Sequence, residues 1–168
     1  MQSISPETIY RGSDAWGKAL PQITNLTKSP LILGRSVHTN DIKNKIFRDL
    51  KKSELNVNSA NLQFDCCYED ISKIKEIILN NNHDAVIAVG GGKVLDSGKY
   101  IAEILNIPCI TVPLSASTCA GWTALSNIYT KKGQFIKDIA LRSCPKVLVF
   151  DHKFIQTAPS RTLASGIA

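Results

Sequence analysis

One stretch, residues 85–99, constrains the fold of this chain more than any other. It begins with five consecutive apolar residues, Ala85 to Val89, continues with three glycines, and takes on a helical pattern within one or two residues. An uninterrupted apolar run of this length predicts a strand that is buried on both faces of a parallel sheet. We therefore expect a buried strand that turns sharply into a helix, with Gly90, Gly91 and Gly92 at the turn.

A turn of this kind favours phosphate binding. Glycine has no Cβ atom, so its backbone can adopt positive φ angles and approach a ligand closely. The helix that follows offers unpaired N–H groups and the positive end of its dipole, and Lys93 adds a full positive charge at its start. Without other evidence, the same three glycines can equally be a tight turn with no ligand.

Two better-known phosphate motifs do not fit this stretch. The dinucleotide fingerprint G-x-G-x-x-G matches at Gly90 and Gly92, but Leu95 stands where the third glycine is required. The P-loop pattern has four residues between its two glycines, whereas Gly92 and Gly98 enclose five. Phosphate binding at this turn therefore needs support from other motifs.

Strand and helix patterns alternate along the rest of the chain, which predicts an α/β fold with a Rossmann-like parallel sheet and helices on both faces. Three strand ends, at Gly34–Arg35, Gly90–Gly92 and Pro113–Ser115, should converge on one crevice. The predicted strands are 8–10, 30–36, 60–67, 85–89, 108–113 and 146–150, with a β-hairpin over 125–136 that turns at 130–133. The predicted helices include one near Trp16 that Pro21 kinks or divides, and others over about 39–52, 70–80 and 94–105.

The glycine stretch resembles the G-G-G-x-x-x-D-x-x-K signature of the iron-containing alcohol dehydrogenase and glycerol dehydrogenase family, with Asp96 and Lys99 at the last two fixed positions. Residues 112–129 are similar to that family's proline–serine–threonine loop and hairpin, and residues 158–168 to a third motif. The resemblance implies a dinucleotide-binding domain over 1–158. It implies that 159–168 are only the start of a helical metal-binding and substrate-binding domain. The chain would then be truncated before the rest of that domain.

The resemblance also implies a site for NAD or NADP. Gly91, Gly92 and Lys93 would hold the cofactor phosphates. The loop residues Ser117 and Thr118 would approach the nicotinamide ribose or ring, and the hairpin would line the cofactor with Thr123, Leu125 and Tyr129. Asp96 belongs to the same signature, although a carboxylate in the first turn of a helix is stabilised by the dipole whatever its function.

Arg35 departs from the family pattern. In NAD-preferring relatives an acidic residue at this strand end accepts hydrogen bonds from the adenosine ribose hydroxyls. An arginine suits a 2′-phosphate instead, so we expect tolerance of, or preference for, NADP. The alternative is that Arg35 simply points into solvent.

Cys119 departs from the pattern as well. Glycerol dehydrogenases commonly have Asp here, close to the substrate hydroxyls, and a thiol is a much weaker hydrogen-bonding partner than a carboxylate. The resemblance implies an NAD(P)-dependent and metal-dependent alcohol or polyol dehydrogenase, and Cys119, which we expect to face the substrate, favours an alcohol or carbonyl compound over a polyol. A nucleophilic role is less favoured, because hydride transfer needs no nucleophile.

Family members bind zinc or iron through an Asp and His residues, and the metal polarises the alcohol oxygen. The resemblance places that Asp directly after Ala168 and the His ligands in a further domain. We therefore expect the metal only in a longer enzyme, and we expect residues 1–168 to bind a dinucleotide weakly without catalysing alone. Two alternatives stay open: a non-catalytic remnant that keeps the cofactor site, and a lyase similar to dehydroquinate synthase.

Composition limits the partners and the compartment. The net charge is +6, but the lysines are dispersed as on the wet faces of helices, so nucleic-acid binding is not expected. No apolar run is long enough for a membrane span, and the start of the chain lacks the pattern of a secretory signal. Five cysteines without a C-x-x-C spacing favour a reducing compartment, hence a cytoplasmic protein. Apolar helix faces that would pack on a missing domain favour self-association, so we expect a homo-oligomer.

Overall fold

Parallel strands form the centre of the molecule. The structure, a computed structural model, describes residues 5–157. The strands are β1 (Thr8–Gly12), β2 (Pro30–Gly34), β3 (Asn58–Asn61), β4 (Ala85–Gly90), β5 (Cys109–Pro113), β6 (Leu125–Tyr129), β7 (Phe135–Ala140) and β8 (Val147–Asp151). The helices are α1 (Ala15–Leu26), α2 (Asn40–Lys52), α3 (Tyr68–Asn80), α4 (Gly92–Leu105) and α5 (His152–Gln156), and a single 3-10 turn spans Val37–Thr39.

The main sheet has the order β1-β8-β5-β4-β2-β3, and all of its neighbouring strands are parallel. From β2 the chain continues to β3 on one side, whereas from β4 it continues to β5 on the other. The carboxyl ends of β2 and β4 are therefore the point where the connections diverge, and ligands of open parallel sheets bind at such a point.

Two apolar layers cover the two faces of this sheet, which confirms the predicted architecture. One layer packs α1, α2 and α5 on the sheet and includes Trp16, Ile46 and Ile87. The other packs α3, α4 and the hairpin on the opposite face and includes Ile74 and Leu95. Neighbouring residues of β4 alternate between the two layers because successive side chains of a strand point to opposite faces.

The antiparallel β6–β7 hairpin stands apart from the main sheet, as its sequence predicts. Its turn contains Gly133, whose φ of +80° is a conformation that favours glycine. The second arm runs to Ala140, four residues beyond the predicted end at 136.

The structure also changes other parts of the predicted element list. The strand predicted over 60–67 is only β3, Asn58–Asn61, because the chain then leaves the sheet and packs beneath the hairpin, where the carbonyl of Cys66 accepts a hydrogen bond from Tyr129 N (2.8 Å). The helix predicted from residue 94 begins at Gly92, and Pro21 lies inside one continuous α1. The predicted domain boundary at 158/159 and the helix after it lie outside the described residues.

Candidate functional site

The glycine turn is shaped by close approach rather than by left-handed backbone. Gly91 precedes α4 in an extended conformation (φ −82°, ψ −177°), and none of the three glycines has a positive φ. A Cβ on Gly90 would lie 3.0 Å from Val94 Cβ, and a Cβ on Gly92 would lie 3.1 Å from Thr118 Oγ1. A Cβ on Gly91 would meet nothing within 4 Å, so the backbone here is open to a ligand.

A cavity of about 290 Å³ lies against this turn, between the ends of β2 and β4. At the start of α4, Val94 N and Leu95 N donate to the Gly91 carbonyl at 3.0 and 3.1 Å, so the amide hydrogens of Gly92 and Lys93 are the ones available to an anion. The lining residues are Arg35, Ser36, Thr39, Val89, Gly90, Gly91, Gly92, Lys93 and Val94. Four of the predicted cofactor residues, Arg35, Gly91, Gly92 and Lys93, therefore lie around one cavity.

Asp65 joins the two cations of this cavity and was not identified from the sequence. Its Oδ2 accepts a hydrogen bond from Lys93 Nζ at 2.6 Å, and its Oδ1 forms an ion pair with Arg35 Nη1 at 2.7 Å whose angles are not those of a hydrogen bond. The Asp65 side chain is 10% exposed, whereas those of Arg35 and Lys93 are 45% and 39% exposed. The two cations therefore stay open to solvent, so a ligand can compete with Asp65 for them.

The hairpin also reaches these charges, through Tyr129. Lys93 Nζ lies 4.7 Å from the centre of the Tyr129 ring, a cation–π distance. Phe135 packs edge-on against the same ring at 6.0 Å between centroids. The hairpin thus contacts Lys93 through Tyr129, which is not itself among the residues that line the cavity.

The loop between β5 and β6 brings Thr118 to the glycine turn. Thr118 Oγ1 accepts a hydrogen bond from Ala120 N at 3.1 Å, while Ser117 is exposed and its Oγ lies 2.7 Å from Ser115 Oγ. Cys119 is exposed in the same loop. Hydroxyl groups and a thiol therefore stand next to the carboxyl end of the sheet.

The other predicted site residues are joined underneath the hairpin by a buried lysine. Lys99 Nζ forms an ion pair with Asp96 at 2.9 Å and donates to the carbonyls of Thr123 and Leu125. Asp96 Oδ2 also accepts a hydrogen bond from Asn127 N at 3.2 Å. We call this set of five residues the buried clamp, because it fastens the start of β6 to α4.

Burial dominates the electrostatics of the buried clamp. The side chains of Lys99 and Asp96 are 2% and 7% exposed. Burial raises the pKa of Asp96 above its usual value, although Lys99 and the Asn127 amide act in the opposite direction. Asp96 therefore contacts the hairpin from beneath and does not line the cavity at the glycine turn.

A second cavity, of about 330 Å³, lies at the opposite edge of the sheet, where the amino ends of β5 and β8 are, and includes Cys109 and Cys144. Burial raises the pKa of both thiols, to about 12 for Cys109. The exposed cations there are already paired, Arg142 with Glu103 and Lys146 with Glu7. We place the candidate site at the glycine turn because ligands of parallel sheets bind at the carboxyl ends of the strands.

The sequence alone could have indicated Asp65 as a site residue, but only through the order of the strands and not through a local motif. Asp65 follows β3, whose carboxyl end lies beside that of β2, so any polar residue just after β3 is a candidate for the same crevice. The erroneous extension of β3 to residue 67 placed Asp65 inside a strand. Among residues 5–157, no three His, Cys, Asp or Glu side chains gather where they could hold a metal ion. Nor does any helix within that range combine the length and apolarity that crossing a bilayer requires.

Comparison with known proteins gives one consistent family. The model of the family described as iron-containing alcohol dehydrogenase matches residues 6–152. An uncharacterized oxidoreductase of Synechocystis is 34% identical over 98% of this chain and 42% of its own length. Glycerol dehydrogenase of Pseudomonas putida is 29% identical over 97% of this chain and 45% of its own length.

A solved structure agrees with these sequence matches. The crystal structure of glycerol dehydrogenase from Schizosaccharomyces pombe superposes with a TM-score of 0.87 at 30% identity, over 99% of this chain and 42% of that protein. The chain thus spans a little under half the length of the relatives it matches.

Proposed function

The chain belongs to the iron-containing alcohol dehydrogenase family, a family of oxidoreductases, and on that premise we propose that it supplies the dinucleotide-binding part of an NAD(P)-dependent alcohol dehydrogenase. The substrate would be a small alcohol or the corresponding carbonyl compound. One observation carries the proposal: the open glycine turn and Lys93 border a cavity where the strand connections diverge.

Binding of the diphosphate is the first role of this crevice. The amide hydrogens at the start of α4 and the Lys93 ammonium would hold the phosphate oxygens. The hydroxyls of Ser117 and Thr118 would face the nicotinamide ribose, and the Tyr129 ring would close the side next to Lys93. When bound, the nicotinamide ring accepts or donates the hydride.

The metal of the family enters no step of this proposal. No group of His, Cys, Asp or Glu in the described part of the chain fits a metal ion, so the residues present do not build that centre. Their roles are to bind and orient the dinucleotide. Cys119, exposed in the loop beside the glycine turn, is the residue of this chain proposed to face the substrate.

Arg35 supports NADP as the favoured cofactor. Its guanidinium lies at the end of β2, lines the cavity and is nearly half exposed, so it can reach a 2′-phosphate on the adenosine ribose. Arginine binds phosphate oxygens with two parallel hydrogen bonds, which an uncharged ribose hydroxyl does not match.

Fluorescence titration of the 168-residue chain with NADPH and NADH tests this function. We expect weak binding of both, with NADPH favoured, and Arg35→Asp should lower the ratio of NADPH to NADH affinity by about tenfold or more because it reverses the charge. Arg142→Asp makes the same charge change at the opposite edge of the sheet and should leave the ratio unchanged.

The two parts of the proposal fail in different ways. A folded sample that binds neither dinucleotide would overturn the proposed function. Binding of both with a ratio that Arg35→Asp does not alter would overturn only the role given to Arg35.

A further inference from the structure

We infer that Asp65 sets how strongly this crevice prefers a cofactor with a 2′-phosphate, by acting as an internal anion that occupies Arg35 and Lys93. The inference rests on the proposed function, because it concerns the selectivity of the same site. Asp65 would be a residue that determines specificity.

The position of Asp65 follows from the sheet. β3 pairs in parallel with β2, and Gly34 lies opposite Asn61, so the two strands deliver their following residues to the same edge. Arg35 comes directly after β2, and Asp65 comes four residues after β3. The acidic group that the end of β2 lacks is thus supplied from the neighbouring strand.

The contacts divide the Asp65 carboxylate between two cations. One oxygen lies 2.7 Å from the Arg35 guanidinium, and the other lies 2.6 Å from the Lys93 ammonium. The carboxylate itself is largely buried, while both cations keep exposed surface toward solvent. Asp65 is therefore the fixed member of the trio, and the cations are the members that can turn to a ligand.

Charge then decides the selectivity. Arg35, Lys93 and Asp65 together carry a net charge of +1, so a second phosphate entering the crevice must compete with Asp65 for the guanidinium. A ribose hydroxyl needs no such exchange, because it can donate to a carboxylate and accept from an arginine. Asp65 thus penalises NADP more than NAD, and it keeps the preference expected from Arg35 moderate.

Asp65→Asn tests the inference because it removes the charge and keeps the shape. Calorimetric titration of the 168-residue chain with NADP⁺ and NAD⁺ should show NADP⁺ binding about tenfold tighter than in wild type, because it alone carries the 2′-phosphate that the released Arg35 binds. NAD⁺ binding should change by no more than about threefold, because what it gains from the released Lys93 is offset by the loss of the carboxylate that accepts from its ribose hydroxyl. Glu103→Gln removes a carboxylate paired with an arginine at the opposite edge and should change neither affinity.

A double-mutant cycle tests whether Asp65 acts on cofactor preference through Arg35. In an Arg35→Met background, Asp65→Asn should no longer favour NADP⁺ over NAD⁺, because the guanidinium it released is absent. Asp65→Ser should behave as Asp65→Asn, and Asp65→Glu should keep the wild-type ratio; circular dichroism of each variant establishes that it is folded.

Equal gains for NADP⁺ and NAD⁺, a loss of both, or a ratio unchanged by both neutral variants would overturn the inference while leaving the proposed function standing. Wild-type protein that binds neither dinucleotide would overturn the proposed function itself, and this inference with it.

Discussion

Two clusters built from the same residue types have opposite characters, although their lysines lie only six residues, a little under two helix turns, apart along α4. At the start of the helix, Lys93 pairs with Asp65 beside the cavity and keeps 39% of its side chain exposed. Further along, Lys99 pairs with Asp96 in the buried clamp and keeps only 2%. Both contacts are short, at 2.6 and 2.9 Å.

Solvent decides what each cluster can do. Water reaches the cations of the exposed cluster but hardly the Asp65 carboxylate, so the cations are the groups available to an entering phosphate. Water hardly reaches the buried clamp, where a lysine that lost its partner would be left charged and unsolvated. The first cluster is suited to binding, and the second to holding the hairpin in place.

Removing the lysines is the strongest way to separate the two clusters. We expect Lys99→Met to lower the free energy of unfolding by about 3–5 kcal/mol, because it leaves Asp96 without its buried partner. Lys93→Met should lower it by less than about 1 kcal/mol, as for an accessible ion pair. Urea unfolding followed by circular dichroism measures both, and equal losses would contradict the distinction.

The reactivity of Cys66 tests where solvent access ends between the two clusters. Cys66 directly follows Asp65 of the exposed cluster but lies beneath the hairpin. Cys66 Sγ lies 3.9 Å from Ser126 Oγ beneath the hairpin, and burial raises the pKa of Cys66 to about 11, whereas Cys119 is exposed. At pH 8 only about one Cys66 side chain in a thousand is a thiolate, so a disulfide reagent should modify Cys119 at least about a hundredfold faster.

The raised pKa of Cys66 also has a defined pH effect. The folded state holds this thiol proton more tightly than the unfolded state, so its contribution to stability is complete below the unfolded pKa near 8.5 and is lost as the pH rises through about 11.

Two variants control the thiol-modification experiment. Cys119→Ser should remove the fast phase of modification, and Lys99→Met should accelerate the slow phase by loosening the hairpin. Rapid modification of Cys66 in the wild type would place it with the exposed cluster.

Cofactor affinity gives the smallest of these effects and tests the exposed cluster alone. Lys93→Met should weaken NAD⁺ and NADP⁺ binding by a similar factor, about tenfold, because both cofactors carry the diphosphate. Lys146→Met, which removes an equally accessible paired lysine at the opposite edge, should have no effect. A loss confined to NADP⁺ would show that Lys93 contacts the 2′-phosphate instead of the diphosphate.

Local patterns were sufficient where a segment's environment is uniform. The strand at 85–90 is buried along its whole length, so its apolar run predicted both its position and the turn that follows it. The hairpin was predicted because Gly133 and its polar neighbours separate two strand patterns. The same reliance on local pattern gives the wrong structure for residues 62–67. Leu62 and Cys66 alternate with polar residues as in a strand, but they belong to a loop and are buried because that loop packs under the hairpin.

Charge partners could not be predicted in the same way. Asp65 meets Arg35 and Lys93, which lie 30 and 28 residues away in opposite directions, and no local rule joins such positions. Similarly, nothing local joins Lys99 to the carboxylate of Asp96 and to the backbone carbonyls of Thr123 and Leu125, contacts that the resemblance does not include. A signature gives the positions of its residues but not the contacts that their backbone and side chains make.

The place of β1 in the sheet has a consequence for how the chain folds. Thr8 pairs with Val147, and Trp16 N donates to the Asp151 carboxylate 135 residues away, so the first described strand has no neighbour in the main sheet other than β8. During synthesis β1 and α1 must wait until residues 147–151 leave the ribosome before that edge can close. Loop closure over such a separation slows folding, so we expect docking of β1 to be the late kinetic step.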